Sequence, residues 1–407
     1  MAASRVSTRS GFVRRSAPRA AGAVAVIILL AVAILGVLWM RSLIAPALVL
    51  TDIVAGAAPS PLKTLTAAPQ RVDVRFSGNG EPLDGDLYLP GRGRPRAGVV
   101  LVPGVVPLGH RDPRLVAFAQ TLARASFAVL APSLPAYRLR QVQPGDVVRI
   151  SAAFRHLVDH PDWAPQGRAG MVAFSYAVGF AVLAALDPAI REQVRFVVGI
   201  GGYYDLNEVL TYATTGHYRV DGRWRQRAAD PYGQWVFLES ARPHLGDARD
   251  RWLLGEMARR KLENLDADLV PLARELGPEG RSIYRLLTNP DPAAVPARLA
   301  ALPVAVRGVL DALTLHDKDL TALRARLILL AGEDDPLIPY TQSLALARAV
   351  PAGQAQVLVI HRVLRHVELH PGRAFEASFW DQDLPDLWRL YRAVRLLLLE
   401  QCRGRAA

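Results

Sequence analysis

The sequence predicts an α/β protein: a doubly wound, mostly parallel sheet with a helical cap insertion and one N-terminal transmembrane helix. Three observations predict it. First, short continuous apolar runs recur: "GVVLVPG" (98–104), "FAVLAP" (127–132), "GMVAF" (170–174), "FVVGIGG" (196–202), "RLILLAG" (326–332) and "QVLVIH" (356–361). Runs of this kind suit strands buried on both faces of a parallel sheet. Second, helical stripes separate them, such as Leu115, Phe118, Ala119 and Leu122, then Val147, Ile150, Phe154 and Leu157; strand alternating with helix is the mark of an open doubly wound sheet. Third, residues 20–42 begin with an uncharged run, "AAGAVAVIILLAVAILGVLWM", about as long as the roughly 20 residues a helix needs to cross a bilayer.

Taken in chain order, residues 1–19 form a basic arm carrying Arg5, Arg9, Arg14, Arg15 and Arg19, whereas only Arg41 lies just beyond the apolar run. That bias keeps the amino terminus cytoplasmic and places the rest outside the cytoplasmic membrane. A cleaved signal peptide is the alternative, and "IVAGAAPS" offers small residues to a protease. The apolar run exceeds the roughly 7–15 residues of a signal core, however, and the small-residue stretch lies well past its end. Residues 43–70, rich in Ala, Pro, Thr and Ser without sustained periodicity, read as a linker. "RVDVRFSG" and "DGDLYLP" alternate apolar with polar residues and read as a strand pair at a sheet edge. Residues 71–205 and 322–407 then form the two parts of the core. Between them, 206–321 is a mostly helical cap with proline punctuation, a cluster of aromatics in "HYRVDGRWRQRAADPYGQWVF" and no convincing strand. A last helix, "LPDLWRLYRAVRLLLLEQ", is too short and too charged to span a membrane and should pack on the sheet.

Composition narrows the function. The chain has 407 residues, 51% of them hydrophobic, a formal net charge of +12 and a single cysteine, Cys402. A lone cysteine permits no intramolecular disulfide and no multi-cysteine metal site. Much of the positive excess belongs to the basic arm, and the other arginines are scattered among Asp and Glu without a basic stripe or interleaved aromatics. Nucleic acid is therefore not an expected partner.

The residues that carry chemistry lie after strand carboxyl ends, where open α/β sheets bind ligands. Ser175 follows "GMVAF" directly and precedes the small-residue helix "YAVGFAVLAAL"; a serine on a sharp strand-to-helix turn has its hydroxyl lifted out of the sheet, with small residues needed two before and two after. Ala173 and Ala177 meet that need. Asp335 follows "RLILLAG" in "AGEDDPLIP", and His366 follows "QVLVIH" in "VIHRVLRHVEL". The order Ser, Asp, His on later loops of one parallel sheet is the triad order of an α/β-hydrolase.

On these residues the chain resembles the α/β-hydrolases, specifically dienelactone-hydrolase-like and esterase-like members, over about residues 71–401. The pieces that match are "GVVLVPG" entering the oxyanion loop, "GMVAFSYAVG" as the nucleophile elbow, "AGEDDPLIP" as the acid loop and "RHVE" as the histidine segment. The elbow reads A-x-S-x-A in place of G-x-S-x-G, and the oxyanion loop reads "VPGVV" where many relatives have His-Gly. The resemblance implies Ser175 as nucleophile, His366 as base and Asp335, three residues after the loop glycine, as acid. It also implies backbone N–H donors at Val105 and Tyr176, and a cap where the helical insertion falls.

No cofactor or metal is then required. The expected activity is ester cleavage through an acyl-enzyme, on a small-molecule or lipid-like substrate. Acyl transfer to an alcohol would use the same residues, and a catalytically silent binding or scaffold protein is the alternative from another class. Asp205, after "GIGGYY", is an alternative acid. His366 and His370, four residues apart with Glu368 between them and His361 nearby, could clasp zinc, although no HExxH pattern supports it. Trp224, Tyr232 and Trp235 could wall an apolar acyl pocket or simply fill the core of the insertion.

Overall fold

In the computed structural model, residues 43–78, 80–369 and 383–402 are described. The expected membrane helix at 20–42, the basic arm and His370 lie outside the described residues. Among the described residues no single helix is long and apolar enough to cross a membrane. The chain divides into two units, Met1–Ala45 and Pro46–Ala407, and the second contains every strand.

The expected linker at 43–70 is instead largely helical. Helix α1 (Leu43–Ala55) and helix α2 (Pro61–Leu65) are both formed. Ser60 caps α2 by accepting from the Lys63 amide, with a proline in the first turn. Buried Asp52 accepts from Lys63 at 2.6 Å and from the hydroxyls of Ser60 and Thr121. Val49 and Leu62 pack against Val394 near the other end of the chain. Such a long-range contact leaves no periodic trace in local sequence, which is why the segment reads as irregular.

The sheet begins with β1 (Gln70–Gly78), β2 (Glu81–Leu89) and β3 (Ala97–Val102). Then come α3 (Pro113–Arg124), β4 (Phe127–Pro132), α4 (Pro135–Arg138), α5 (Pro144–Val158), β5 (Ala169–Phe174), α6 (Ala177–Leu186) and β6 (Val194–Ile200). An insertion comes next, made of α7 (Leu206–Thr215), β7 (His217–Val220), β8 (Arg223–Gln226), α8 (Tyr232–Ala241), α9 (Ala248–Glu263), α10 (Val270–Glu275), α11 (Pro278–Leu287), α12 (Val295–Ala300) and α13 (Val304–Leu313). The chain returns through β9 (Arg326–Gly332), α14 (Tyr340–Ala349) and β10 (Ala355–Ile360) to the short β11 (Leu364–Arg365) and β12 (Glu368–Leu369), and ends on α15 (Leu384–Glu400).

Eight strands form one mixed sheet in the order β1-β2-β4-β3-β5-β6-β9-β10. Strand β2 is antiparallel to β1 and β4, and the remaining pairings are parallel. The doubly wound, mostly parallel expectation therefore holds. Period-two alternation splits each central strand between two cores. Val100, Val102, Met171 and Ala173 pack with Ile150, Phe154 and Phe180 of α5 and α6, while Val99, Leu101, Val172 and Val198 pack with Leu115, Leu122, Leu390 and Leu397 of α3 and α15. Helices cover both faces, so these strands carry apolar residues throughout. Helix α6 is apolar all round and nearly wholly buried, and Gly179 within it is required by packing: a Cβ there would sit 2.2 Å from the Tyr203 ring.

The insertion has its own core, in which Trp235, Leu254, Met257, Ile283 and Leu286 are buried together. Burial of each such side chain stabilises by about 1.5–3 kcal/mol, which holds the helices of α8 to α11 together apart from the sheet. The expectation that the insertion has no strand is corrected by β7 and β8, an antiparallel pair joined through Asp221 and Gly222. Both turn residues have positive φ, +49° and +77°, as a two-residue hairpin turn demands.

Candidate active site

The site is assembled at the carboxyl ends of β3, β5, β6, β9 and β10. Strand β5 runs straight into α6 through Ser175, whose φ is +57°. That left-handed conformation disfavours residues with a Cβ, and strain of this kind concentrates at functional positions. The turn is pinned on both sides: the Ser175 N–H donates to the Ile200 carbonyl at 2.8 Å, and its carbonyl accepts from Val178 at 3.0 Å. Ala173 and Ala177 are wholly buried on either side of it. The β3 loop passes beside it at ordinary contact distance, since a Cβ on Gly104 would lie 3.6 Å from that of Ser175. Small residues are thus a packing demand here, met by alanine.

The structure brings Ser175, His366 and Asp335 together. His366 Nε2 lies 2.9 Å from Ser175 Oγ, and its Nδ1 lies 2.7 Å from Asp335 Oδ2. All three are buried, with Asp335 only 1% exposed. The second Asp335 oxygen accepts from the Leu337 and Ile338 amides at 2.8 and 2.9 Å, so both of its oxygens are committed and its orientation is fixed. An imidazole flanked this way donates Nδ1–H to the carboxylate and accepts the serine hydroxyl on Nε2, the tautomer that a general base requires. His366 opens the two-residue turn between β11 and β12 and also has a positive φ, +56°.

Two glycines shape this arrangement, Gly201 and the acid-loop glycine Gly332. Gly201, after β6, has φ +65°, and a Cβ on it would lie 3.1 Å from His366 Nδ1 and 3.4 Å from Asp335 Oδ2. Gly332 ends β9, where a Cβ would lie 2.4 Å from the Leu364 carbonyl; its absence lets β11 cross the strand end and deliver His366. Asp386 on α15, like Gly201, is a residue that the sequence does not single out. Its carboxylate accepts from the His361 amide at 3.1 Å and the Arg362 amide at 2.7 Å, fixing the chain that leads to His366. The only sequence signal for Gly201 and Asp386 is their position beside a strand end or within an amphipathic helix, which many other residues share.

The alternative acid reading does not hold in this geometry, and the zinc reading includes His370, which lies outside the described residues. Asp205 caps α7 by accepting from the Asn207 amide at 2.8 Å, a structural role that engages it away from His366. Asp334 is exposed and pairs with Arg227 at 2.7 Å. His361 Nδ1 meets Glu333 at 2.5 Å. Both ring nitrogens of His366 are occupied by Asp335 and Ser175, which leaves none for a metal. No group of three or more metal-ligating side chains occurs among the described residues.

Val105 follows β3, and Tyr176 follows Ser175 at the amino end of the ten-residue helix α6. Among the described residues neither amide donates to a backbone acceptor. The helix terminus adds a favourable field for negative charge beside Ser175. The insertion reaches both sides of the site. Tyr232 Oη on α8 donates to the Val105 carbonyl at 2.7 Å, Tyr212 Oη on α7 donates to the Asp335 carbonyl at 3.2 Å, and the Asp230 amide donates to the Pro336 carbonyl at 2.8 Å. Burial raises the Tyr232 phenol pKa against the opposing pull of the neighbouring Arg140 guanidinium, so the hydroxyl keeps its proton and its donor role. Trp235 lies in the insertion's core and Trp224 is partly exposed on β8, so of the three aromatics only Tyr232 touches the site.

Beside Tyr176 lies a small apolar crevice of about 40 Å³, walled by Phe180, Val209, Val236, Leu310 and Leu313. It has room for little more than a water molecule.

No protein-family model matches the chain, and no curated protein sequence matches it. Among solved structures, a Legionella pneumophila protein whose hydrolase assignment is provisional superposes with a TM-score of 0.53 at 11% identity, covering 88% of this chain and 95% of its own. A puromycin-hydrolysing peptidase of Mycobacterium tuberculosis gives a TM-score of 0.47 at 15% identity over 86% of this chain, which spans 41% of the peptidase's length. Dienelactone hydrolase from Anabaena variabilis gives 0.40 at 16% identity, covering 80% of this chain and 97% of the other. Likeness at these identities concerns the fold. The eight-stranded mixed sheet with its surrounding helices is consistent with an α/β-hydrolase fold.

Proposed function

We propose that the chain is a serine hydrolase that cleaves an ester through an acyl-enzyme, with Ser175 as nucleophile, His366 as general base and Asp335 as the group that orients it. The observation that carries this reading is the continuous relay from Asp335 Oδ2 to His366 at 2.7 Å and from His366 to Ser175 Oγ at 2.9 Å. As Ser175 Oγ attacks the ester carbonyl, its proton passes to His366 Nε2, and Asp335 stabilises the imidazolium. The tetrahedral oxygen is held by the Val105 and Tyr176 N–H groups; one such donor is typically worth about 100- to 1,000-fold in rate. The imidazolium returns its proton to the leaving alcohol. Water then enters, loses a proton to the same nitrogen as it attacks the acyl carbon, and the imidazolium returns that proton to Ser175 Oγ as the acid leaves. Atoms balance with no cofactor, and an alcohol in place of water would give acyl transfer.

The insertion serves as a cap over this site, with Tyr232 and Tyr212 as its anchors. Residues 20–42 anchor the protein in the cytoplasmic membrane, with the hydrolase outside; the arginine bias of the first 19 residues supports this orientation. A carboxyl-terminal reporter active only in the cytoplasm would overturn it. For the chemistry, p-nitrophenyl esters of increasing chain length should be turned over by the native protein and not by Ser175→Ala or Asp335→Ala. Undiminished turnover in Ser175→Ala would refute the assignment.

A further inference from the structure

The loop that carries Val105, residues 103–112 between β3 and α3, is held from two sides. Its near half is held by the insertion, through the bond from Tyr232 to the Val105 carbonyl. Its tip, at Pro107 and Leu108, is exposed. Its far half is a series of tight turns: the Gly109 amide donates to the Val106 carbonyl at 2.9 Å, and the Asp112 amide closes a single turn of 3-10 helix over Gly109–Arg111 by donating to the Gly109 carbonyl at 3.1 Å. Within those turns His110 is buried, only 8% exposed.

The group that His110 meets is Asp86 of β2, which is fully buried. A carboxylate taken out of water must be met by several donors or cations. Arg71 of β1 lies 2.9 Å from both of its oxygens. The other two partners come from the loop, since His110 Nε2 and Arg111 Nε each lie 3.6 Å from Asp86 Oδ2. At that distance these are electrostatic contacts and not hydrogen bonds. His110 Nε2 is buried with no hydrogen-bond partner among the described residues, so the carboxylate is the polar group it faces. Burial lowers the His110 pKa against the opposing pull of Asp86, so the ring is neutral near pH 7 and meets the carboxylate with an N–H dipole, while Arg111 supplies the charge.

We infer that Asp86 is a positioning residue: by holding His110 and Arg111 it fixes the far half of the loop, and with it the aim of the Val105 N–H at the tetrahedral oxygen. The inference rests on the hydrolase reading. Two measurements on the full chain test it. The first compares a p-nitrophenyl ester with its thionoester, in which C=S replaces C=O; sulfur accepts hydrogen bonds weakly, so the thionoester gains little from the oxyanion donors. Asp86→Asn should lower kcat on the ester about three- to tenfold with KM nearly unchanged, and should change thionoester turnover by less than about twofold, so that the ratio of the two falls. His110→Gln should do the same, and the double variant should lose little more than either, because both changes break one contact. The second measurement is amide hydrogen exchange, which should quicken over residues 103–112 in both variants and stay as in the native protein at β5, α6 and the β11–β12 turn. Losses shared equally by ester and thionoester, a native kcat on the ester, or unchanged exchange over 103–112 in both variants would overturn the inference. A native protein inert on both substrates would overturn the hydrolase reading and the catalytic half of this inference together, and hydrogen exchange would still decide whether Asp86 holds the loop.

Discussion

The Tyr232 hydroxyl, carried on the insertion, donates to the Val105 carbonyl at 2.7 Å and so ties the insertion to the loop that supplies one of the two proposed oxyanion donors. The bond fixes the carbonyl side of Val105, and with it the path of the backbone whose N–H faces Ser175 in the proposed mechanism. Removing it should loosen the donor without removing it. A neutral hydrogen bond is worth about 0.5–1.5 kcal/mol, so Tyr232→Phe should lower kcat about three- to tenfold while leaving KM nearly unchanged. A Tyr232→Phe enzyme with native kcat would show that this tie has no bearing on the reaction.

Gly201 is the tightest neighbour of the histidine. Alanine there would place a Cβ 3.1 Å from His366 Nδ1 on a backbone with φ +65°, a conformation that costs a residue with a Cβ roughly 1–2 kcal/mol. The imidazole must give way, and small misplacements of catalytic groups are costly. Gly201→Ala should therefore lower kcat/KM by about 10- to 100-fold, measured on a p-nitrophenyl ester, in a protein that still melts cooperatively.

The strain at Ser175 has a thermodynamic signature of its own. Glycine adopts φ +57° freely, whereas alanine keeps the penalty. Part of the gain is offset by the greater freedom of glycine in the unfolded chain. Both variants lack the hydroxyl, yet Ser175→Gly should be more stable than Ser175→Ala by about 0.5–1 kcal/mol in urea denaturation. The reverse order would mean that the elbow stores no strain.

Asp146, in the first turn of α5, is fully buried and has its pKa pushed up to about 6 by desolvation, which outweighs its bonds to Gln143 and Arg149. The folded protein therefore holds this proton more tightly than the unfolded chain does. Its contribution favours folding below about pH 4 and is lost as pH rises towards 6, by an amount on the order of 3 kcal/mol at most. Asp146→Asn should remove that dependence, so its stability relative to the native protein should increase from pH 4 to pH 7. A difference that stays constant with pH would contradict the assignment.

Much of the sheet is legible in the sequence because its strands are buried on both faces, and burial leaves continuous apolar runs such as "GVVLVPG" and "RLILLAG". The positions of Ser175, Asp335 and His366 derive from the same runs, since each lies in a loop after one of them. What the sequence hides is set by contacts between distant segments. The helical α1 and α2 are held by Val394 and Thr121, and Gly201 is required by its positive φ together with the convergence of His366 and Asp335 on it from distant parts of the chain. The β7–β8 hairpin is a different case. Its signal is present, as Asp221-Gly222 between alternating segments, and is masked by the surrounding aromatics.

The central claim is that Ser175 is a nucleophile activated by His366. Mass spectrometry of the protein after reaction with a fluorophosphonate tests it most directly. A single phosphonyl adduct on the peptide containing Ser175 is predicted in the native protein, absent in Ser175→Ala and formed at least about a thousandfold more slowly in His366→Ala. An adduct on another residue, no adduct in the folded native protein, or an unchanged rate in His366→Ala would contradict it.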